Sequence, residues 1–244
     1  ARVDSIVVER MKAAGCIVIG KTNLSEFGLG SHTYNNLFGA TGNAWDTSVS
    51  AGGSSGGAAV CLAQRMLAVA DGSDFMGSLR NPAAWNNVFG MRPSQGRVPY
   101  WPAMDLWVQQ LATAGPMGRT VRDVAQLLAT QAGHDQRAPL SIAQGPQILV
   151  PGPGAEVRGK RIGWLGDLNG YLATEKGVLD VCAHALRRME SAGAVVEPLD
   201  SIGVDLDSVW QAWLVWRWAL VAPSIGAVMT TPAARAQVKP EAQW

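Results

Sequence analysis

Three short stretches of this chain carry side chains that could act on a substrate. Residues 50–57, SAGGSSGG, run directly into an apolar segment that we predict to be a helix. Ser78 lies in a second stretch, DGSDFMGSLRNP, which follows the apolar run LAVA. A serine in a tight turn after a strand is a candidate nucleophile. Lys21 follows the apolar run CIVIG, at the point where another predicted strand ends.

The glycine-serine stretch has two interpretations. It could be a flexible linker or a loop whose backbone comes very close to another group. A linker would have polar neighbours and would not begin a helix, so we favour the loop. The free N–H groups and the dipole at a helix N-terminus favour negative charge, which indicates a functional loop rather than a structural turn.

The order of the elements indicates an α/β fold. We predict helices at 3–14, 55–66, 120–133 and 175–192, and strands at 16–20, 67–72, 160–166 and 194–199. Their alternation predicts a central, mostly parallel or mixed sheet that is flanked by helices on both faces. Reactive groups gather at the carboxyl ends of parallel strands, so we expect Lys21, Ser54 and Ser78 to converge at one edge of the sheet.

We expect one domain that a surface segment interrupts. Residues 1–137 carry the three stretches, and residues 161–244 form a further α/β part of the same domain. Between them, residues 138–160 are rich in proline and glycine and are typical of a linker or a long surface loop.

Charge and cysteine usage argue against several classes of protein. The 20 basic and 19 acidic residues give a net charge of +1, so we expect neither nucleic acid nor a membrane surface as a partner. Cys16, Cys61 and Cys182 lie far apart and lack metal-ligand spacing. They are typical of a reducing compartment, so we predict a cytoplasmic protein without a metal. The sequence leaves a homodimer open.

Three motifs together resemble the amidase signature family of amide hydrolases. They are GKTNLSEF at 20–27, GGSSGGAAV at 52–60 and DGSDFMGSLRNPAAWNNVFGMRPSQGRVP at 71–99. The later segments GPMGRTVRDVAQLLA at 115–129 and RGKRIGWLG at 158–166 also resemble that family. The order of the three motifs and the 24-residue spacing between Ser54 and Ser78 make the resemblance specific. It implies hydrolysis of a carboxamide C–N bond in a small-molecule substrate through a serine acyl-enzyme, without a cofactor. It also admits an amidotransferase subunit that releases ammonia and needs a partner protein.

The resemblance implies a role for each of three residues. Lys21 is the base, Ser54 is the bridging serine beside a cis peptide bond, and Ser78 is the nucleophile. A lysine accepts a proton only while it is neutral, so we expect Lys21 to be buried.

Backbone N–H groups near the nucleophile are expected to form an oxyanion hole. The residues that would supply them are Phe75, Met76, Gly77 and Ser78. Ser55 is expected to bind substrate or to cap the helix. Asp74 and Arg80 are expected to hold the loop by hydrogen bonds rather than to act on substrate.

Three features depart from the family pattern. Met76 stands where many members have glycine, and a positive φ there would strain a methionine. Gly42 stands where members commonly have arginine. The chain is also shorter than family members, so we expect an internal fragment that is inactive and poorly soluble by itself.

Two other functions stay open on the residues alone. GGSSG also matches the G-x-S-x-G nucleophile elbow of esterases, with Ser54 as nucleophile and His134 or His184 as base. That elbow needs a strong strand before it, and NAWDTSVSA is a poor one. The second alternative is a non-catalytic anion-binding loop, although the sequence lacks the P-loop pattern.

Overall fold

The structure is a computed structural model that describes residues 3–103, 105–108, 111–145 and 156–243. The chain forms two compact units. Unit 1 comprises Ala1–Pro151 and Leu220–Trp244, and unit 2 comprises Gly152–Ala219. Part of the predicted linker at 138–160 lies outside the described residues, and the domain boundaries drawn from the sequence stay a prediction.

Helices and short strands follow one another along the described residues. The helices are α1 (Ile6–Ala13), α2 (Gly56–Ala63), α3 (Arg80–Trp85), α4 (Val121–Gln131), α5 (Val178–Ser191), α6 (Leu206–Gly226), α7 (Pro232–Ala236) and α8 (Pro240–Gln243). The strands are β1 (Tyr34–Asn35), β2 (Gly39–Ala40), β3 (Val69–Asp74), β4 (Phe89–Gly90), β5 (Thr113–Gly118), β6 (Arg161–Trp164) and β7 (Val195–Pro198). The predicted α/β class is confirmed.

The strands pair in both directions. In unit 1 the order β3-β5-β4 forms a three-stranded sheet, and both of its pairings are antiparallel. β1 and β2 form a separate antiparallel pair. In unit 2, β6 and β7 are parallel, with Arg161 opposite Val195. The predicted helix at 175–192 corresponds to α5, and the strands predicted around it correspond to β6 and β7.

A small apolar core fixes the elements that carry the serine motifs. Its buried side chains come from α2, from α3 and the residue before it, and from β5: Ala58, Ala59, Leu62, Leu79, Ala83 and Met117. Complete burial of a leucine or methionine side chain contributes about 1.5–3 kcal/mol. Because α2 begins just after Ser55 and α3 just after Leu79, this packing sets where both motifs lie.

Local sequence signals account for α4. The Thr120 hydroxyl accepts a hydrogen bond from the Asp123 N–H at 3.1 Å, and the Asp123 carboxylate accepts one from the Thr120 N–H at 3.1 Å. This reciprocal pair is a capping box, which satisfies two backbone donors at the helix start. The apolar residues Val124, Leu127 and Leu128 are buried. The helix predicted at 120–133, with Thr120 as its cap, is confirmed.

The strand predicted at 16–20 is wrong. Residues 16–20 form no strand, and no backbone hydrogen bond joins residues 17–21 to another described residue. Ile17 is 86% exposed and Ile19 is 73% exposed. An apolar β-branched run becomes a strand only where a neighbour pairs with its backbone groups, and none of the described residues does so.

The longest helix of the described structure is α6, which contains Pro223. Within the described ranges, no helix combines the length and the apolar character that are needed to cross a membrane.

Candidate active site

Glycines in the 50–57 loop allow its backbone to lie directly against the segment 22–33. A Cβ atom added at Gly57 would lie 2.5 Å from the carbonyl oxygen of Asn23, and one added at Gly53 would lie 2.9 Å from Oγ of Ser25. Real Cβ atoms essentially never come within 3.0 Å of another heavy atom. The stretch therefore lacks side-chain volume because another backbone segment packs against it, and this buried loop is not a flexible linker.

Ser54 is held through its carbonyl oxygen. This oxygen accepts hydrogen bonds from the Ser25 N–H at 3.2 Å and from Oγ1 of Thr33 at 3.1 Å. Ser54 is 4% exposed, and both of its partners are also buried. The peptide bond between Gly53 and Ser54 is cis, as the family resemblance implies. The position of Ser54 thus depends on the segment that contains Ser25 and Thr33.

Ser78 lies in a turn that is built around the Asp74 carboxylate. Oδ1 of Asp74 accepts a hydrogen bond from the Gly77 N–H at 2.8 Å, and Oδ2 accepts one from the Leu79 N–H at 3.2 Å. The Arg80 guanidinium donates to both carboxylate oxygens at 3.0 Å. Asp74 is completely buried and Ser78 is 8% exposed. The carboxylate therefore closes the turn that leads from β3 into α3.

A second arginine attaches this turn to the adjoining chain. Nη1 of Arg92 donates to the Asp74 carbonyl oxygen at 2.6 Å, and Nη2 donates to the Leu111 carbonyl oxygen at 2.9 Å. Burial acts to raise the pKa of Asp74, but the hydrogen bonds from Arg80, Gly77 and Leu79 outweigh it and leave the pKa below its ordinary value. Asp74 is thus ionised at neutral pH, with its oxygens directed to the turn, as we expected for Asp74 and Arg80.

The backbone N–H groups of the turn differ in availability. The Gly77 N–H donates to Asp74, so it is already engaged. The N–H groups of Phe75, Met76 and Ser78 have no acceptor among the described residues. Gly77 has a φ of 117°, whereas Met76 does not adopt a positive φ. The methionine that departs from the family pattern therefore carries no backbone strain of that kind.

One backbone hydrogen bond joins the two serine motifs. The N–H of Ser55 donates to the carbonyl oxygen of Ser78 at 3.3 Å. Ser55 is the N-cap residue of α2, but its side chain makes no capping hydrogen bond. Ser55 thus contributes through its backbone, and it places the neighbouring Ser54 beside the turn of Ser78.

A cleft of about 530 Å³ lies beside Ser54 and Ser55. Lys21 lines this cleft, and Ile17, Tyr100 and Trp101 contribute to its walls. Ser78 is not one of its lining residues. The structure therefore brings Lys21 and Ser54 to one cleft and joins Ser78 to them through the backbone of Ser55.

The expected burial of Lys21 is not found. Its side chain is exposed, because the preceding residues 16–20 have no paired neighbour among the described residues. Within the described ranges, no hydrogen bond joins the side chains of Lys21, Ser54 and Ser78 to one another. The roles of these three side chains stay a prediction.

The histidines give no support to an esterase elbow at Ser54. Nδ1 of His134 lies 2.9 Å from Oγ of Ser141, so this ring is paired with a different serine. His184 lies on α5 in unit 2. Residues 44–49, which precede the loop, form bends and turns rather than the strand that such an elbow requires. Across the part of the chain that the structure describes, no group of three or more His, Cys, Asp or Glu side chains could hold a metal ion.

Three residues that hold the site escaped sequence reasoning: Ser25, Thr33 and Arg92. Ser25 lies inside the motif GKTNLSEF, which could have indicated a role. Thr33 contacts Ser54 across 21 residues, and Arg92 contacts Asp74 across 18 residues. No local pattern in the sequence predicts contacts over those distances. Gly42, the second departure from the family pattern, lies against Thr47: an added Cβ would be 2.8 Å from its carbonyl oxygen.

Comparison with known proteins defines the class. A family model described as Amidase matches residues 1–229. The chain therefore belongs to the amidase family, as the motifs predicted.

Relatives of this chain include amidotransferase subunits and amidases. A glutamyl-tRNA(Gln) amidotransferase subunit from Alcanivorax borkumensis is 38% identical over 208 residues, which cover 83% of this chain and 40% of that protein. The structure of a bacterial aryl acylamidase of the amidase signature enzymes family matches with a TM-score of 0.86 and 31% identity, covering 98% of this chain and 50% of that one. Peptide amidase from Stenotrophomonas maltophilia matches with a TM-score of 0.73 and 33% identity, covering 89% and 45%. The chain spans about 40% of the length of such curated relatives.

Proposed function

We propose that this chain carries the catalytic centre of an amide hydrolase that uses Ser78, Ser54 and Lys21. The observation that carries the proposal is the hydrogen bond between the Ser55 N–H and the Ser78 carbonyl oxygen at 3.3 Å. It holds the turn of the candidate nucleophile against the loop of the candidate bridging serine. Lys21 lines the same cleft as Ser54, and membership of the amidase family supports an amide C–N bond as the target.

The proposed reaction begins with attack by Oγ of Ser78 on the carbonyl carbon of an amide. The serine proton passes to Ser54, whose hydroxyl can both donate and accept, and from there to the Lys21 amine, which must be unprotonated to accept it. Attack forms a C–O bond and places negative charge on the former carbonyl oxygen. Backbone N–H groups that lack another acceptor stabilise such a charge.

Collapse of this intermediate breaks the C–N bond. Lys21 returns the proton through Ser54 to the leaving nitrogen, and the acyl group stays on Ser78 as an ester. Water then attacks the ester along the same proton path, which releases the acid and restores the Ser78 hydroxyl. The N–H groups of Phe75, Met76 and Ser78 are the unengaged donors of the turn, so we assign the oxyanion hole to them and not to Gly77.

Turnover and covalent labelling together test the nucleophile. The wild type, Ser78→Ala and the control Ser191→Ala are assayed with a panel of acyl anilides and with a fluorophosphonate reagent that labels activated serines. Ser191 is an exposed serine of α5 that does not line the cleft, so its replacement should leave both readouts intact. We expect Ser78→Ala to lose both. Stoichiometric labelling of Ser78→Ala would show that another residue is the nucleophile.

A second candidate is an amidotransferase subunit that uses the same three side chains to release ammonia. The 38% identity to a glutamyl-tRNA(Gln) amidotransferase subunit favours it. The two candidates differ in substrate and in dependence on a partner. An amidase should cleave anilides by itself, whereas an amidotransferase subunit should release ammonia from a carboxamide donor only when a partner protein copurifies. A small-molecule amide substrate and a cytoplasmic location stay predictions in either case.

A further inference from the structure

The Thr33 hydroxyl sits inside the turn that carries Ser54. Oγ1 of Thr33 lies 2.8 Å from the Gly52 carbonyl oxygen and 3.1 Å from the Ser54 carbonyl oxygen. The same oxygen accepts a hydrogen bond from the Gly56 N–H at 2.9 Å. A hydroxyl has one proton to donate and two lone pairs to accept. One side chain therefore links the backbone on both sides of Ser54 to the first residue of α2.

The Thr33 hydroxyl and the groups that it contacts are shielded from solvent, so water cannot replace these hydrogen bonds. Thr33 is 2% exposed and Ser54 is 4% exposed. A Cβ added at Gly56 would overlap the Thr33 side chain, so the two residues are already in close contact. A buried N–H that loses its acceptor cannot recover the hydrogen bond from solvent. Removal of the Thr33 hydroxyl would thus leave the Gly56 N–H unsatisfied and loosen the turn.

Thr33 is itself held on both sides. Its N–H donates to the Gly52 carbonyl oxygen at 3.0 Å, and its carbonyl oxygen accepts from the Thr41 N–H at 2.9 Å. The next residue, Tyr34, donates its hydroxyl to Oε2 of Glu241 at 2.5 Å. Thr33 is therefore a fixed point against which the Ser54 turn is placed.

We infer that Thr33 is the positioning residue of the bridging serine. This inference rests on the proposed function, in which Ser54 passes a proton from Ser78 to Lys21. Such a relay works only within hydrogen-bond reach, about 2.6–3.2 Å between heavy atoms. A displacement of about 1 Å in a catalytic group can lower a rate about 10²-fold. The Thr33 hydroxyl therefore governs proton transfer rather than substrate binding.

The experiment compares Thr33→Val, which removes the hydroxyl at nearly constant volume, with Thr33→Ser, which keeps it. Thr130→Val is the matched control, because the Thr130 hydroxyl donates to the Gln126 carbonyl oxygen within α4, away from the serine motifs. With an acyl anilide that the wild type cleaves, we expect kcat of Thr33→Val to fall about 10²-fold, with KM unchanged. Thr33→Ser should stay within a few-fold of the wild type, and Thr130→Val should match it.

Hydrogen exchange at the Gly56 amide gives a readout that does not depend on activity. Loss of one buried hydrogen bond should speed exchange at Gly56 about tenfold in Thr33→Val but not in Thr33→Ser. If Thr33→Val fails to fold, the same two measurements are made on Thr33→Ala. This variant removes the hydroxyl without placing a methyl group against the Gly56 N–H. Unchanged kcat and unchanged Gly56 exchange in the variant without the hydroxyl would overturn the inference.

Failure of the proposed function would look different. In that case Ser78→Ala and Ser54→Ala would keep wild-type turnover, whether or not the Thr33 variants lose activity. Turnover that depends on Ser54 but not on the Thr33 hydroxyl would reject the role of Thr33 alone. A raised KM with unchanged kcat in Thr33→Val would also reject it, because substrate binding rather than proton transfer would then be affected.

Discussion

The backbone N–H of Ser55 donates a hydrogen bond to the carbonyl oxygen of Ser78 at 3.3 Å. This bond connects the residue after the candidate bridging serine to the candidate nucleophile itself. It crosses from the N-terminus of α2 to the turn before α3, and the core between these helices and β5 holds both ends. The two serine motifs, which are 24 residues apart in sequence, are therefore one structural feature.

Replacement of the two serines should have unequal effects. In a longer protein that carries this chain, we expect Ser78→Ala to abolish turnover, because Ser78 forms the covalent bond to the acyl group. Ser54→Ala should keep a weak residual activity, since a water molecule can partly replace a residue that only passes a proton. Single-turnover kinetics with an acyl anilide measures both. An acyl adduct that still forms in Ser78→Ala would contradict the assignment.

Lys21 should act as a proton acceptor rather than as a fixed charge. Lys21→Arg should be as damaging as Lys21→Ala, because arginine keeps the charge but stays protonated at any working pH. The kcat/KM of the wild type and both variants with an acyl anilide measures this. Lys12→Arg is a suitable control, since Lys12 forms an exposed ion pair with Asp4 at 2.6 Å. Near-normal turnover of Lys21→Arg would mean that the lysine contributes only a charge.

A methyl group at position 57 should destabilise the loop. Gly57→Ala improves helix propensity by up to about 1 kcal/mol, but its Cβ would lie 2.5 Å from the Asn23 carbonyl oxygen, which belongs to rigid backbone. Overpacking of this kind costs about 1–3 kcal/mol, so we expect net destabilisation. Gly226→Ala in α6 is the control, because nothing lies within 4 Å of its added Cβ. Urea denaturation of both variants provides the comparison. Equal stabilities would argue against the close packing of loop 50–57.

The ionised Asp74 carboxylate should make the free energy of unfolding depend on pH in the acid range. Its pKa is below the ordinary value, so its contribution is fully present above the unfolded pKa of about 3.9 and is lost as pH falls through the lower folded pKa. Asp74→Asn should lower the free energy of unfolding at pH 7 by on the order of 2 kcal/mol, a figure reduced because Arg80 is half exposed.

Denaturant titrations from pH 3 to pH 7 measure this contribution. The difference between the wild type and Asp74→Asn should shrink toward the acid end of the range. Asp4→Asn, which removes an exposed ion pair, should change stability by less than about 1 kcal/mol throughout. A difference that stays constant over the range would show that the Asp74 charge is not what closes the turn.

The Tyr34 phenol should lose its proton at a higher pH than an ordinary tyrosine. Its hydrogen bond to Glu241 is the main cause that raises the pKa of Tyr34 to about 12, compared with an ordinary value of about 10. The stabilisation from this phenol is therefore fully present below pH 10 and is lost as pH rises through 12. Absorbance at 295 nm of the wild type and Tyr34→Phe would isolate its ionisation step. A step near pH 10 that vanishes in Tyr34→Phe would contradict the contact with Glu241.

Several elements could be predicted because their signals are local. Thr120 and Asp123 are three residues apart, and together they satisfy the backbone donors that begin α4. The motif that places Ser54 before an apolar helix is also local, and α2 begins at Gly56 as expected from it. Signals of this kind act over one helical turn, so the order of the residues is sufficient to read them.

The strand predicted at 16–20 shows the limit of such reasoning. Its β-branched residues favour a strand, but a strand exists only when a second segment supplies hydrogen bonds to its backbone. Sequence patterns also do not predict the direction in which strands pair. The side-chain pattern of β3 does not indicate that its partner β5 runs antiparallel to it.

The sequence by itself therefore determined the family, the class of fold and the three candidate catalytic residues, since motif identity and spacing are properties of the chain order. Only the tertiary structure decided which groups hold them: Thr33 and Ser25 at the Ser54 carbonyl oxygen, and Arg92 at Asp74. It also showed that the Gly77 N–H is engaged and that Lys21 is exposed. Burial and hydrogen-bond partners arise when distant segments pack together, and residue type and local spacing do not specify that packing.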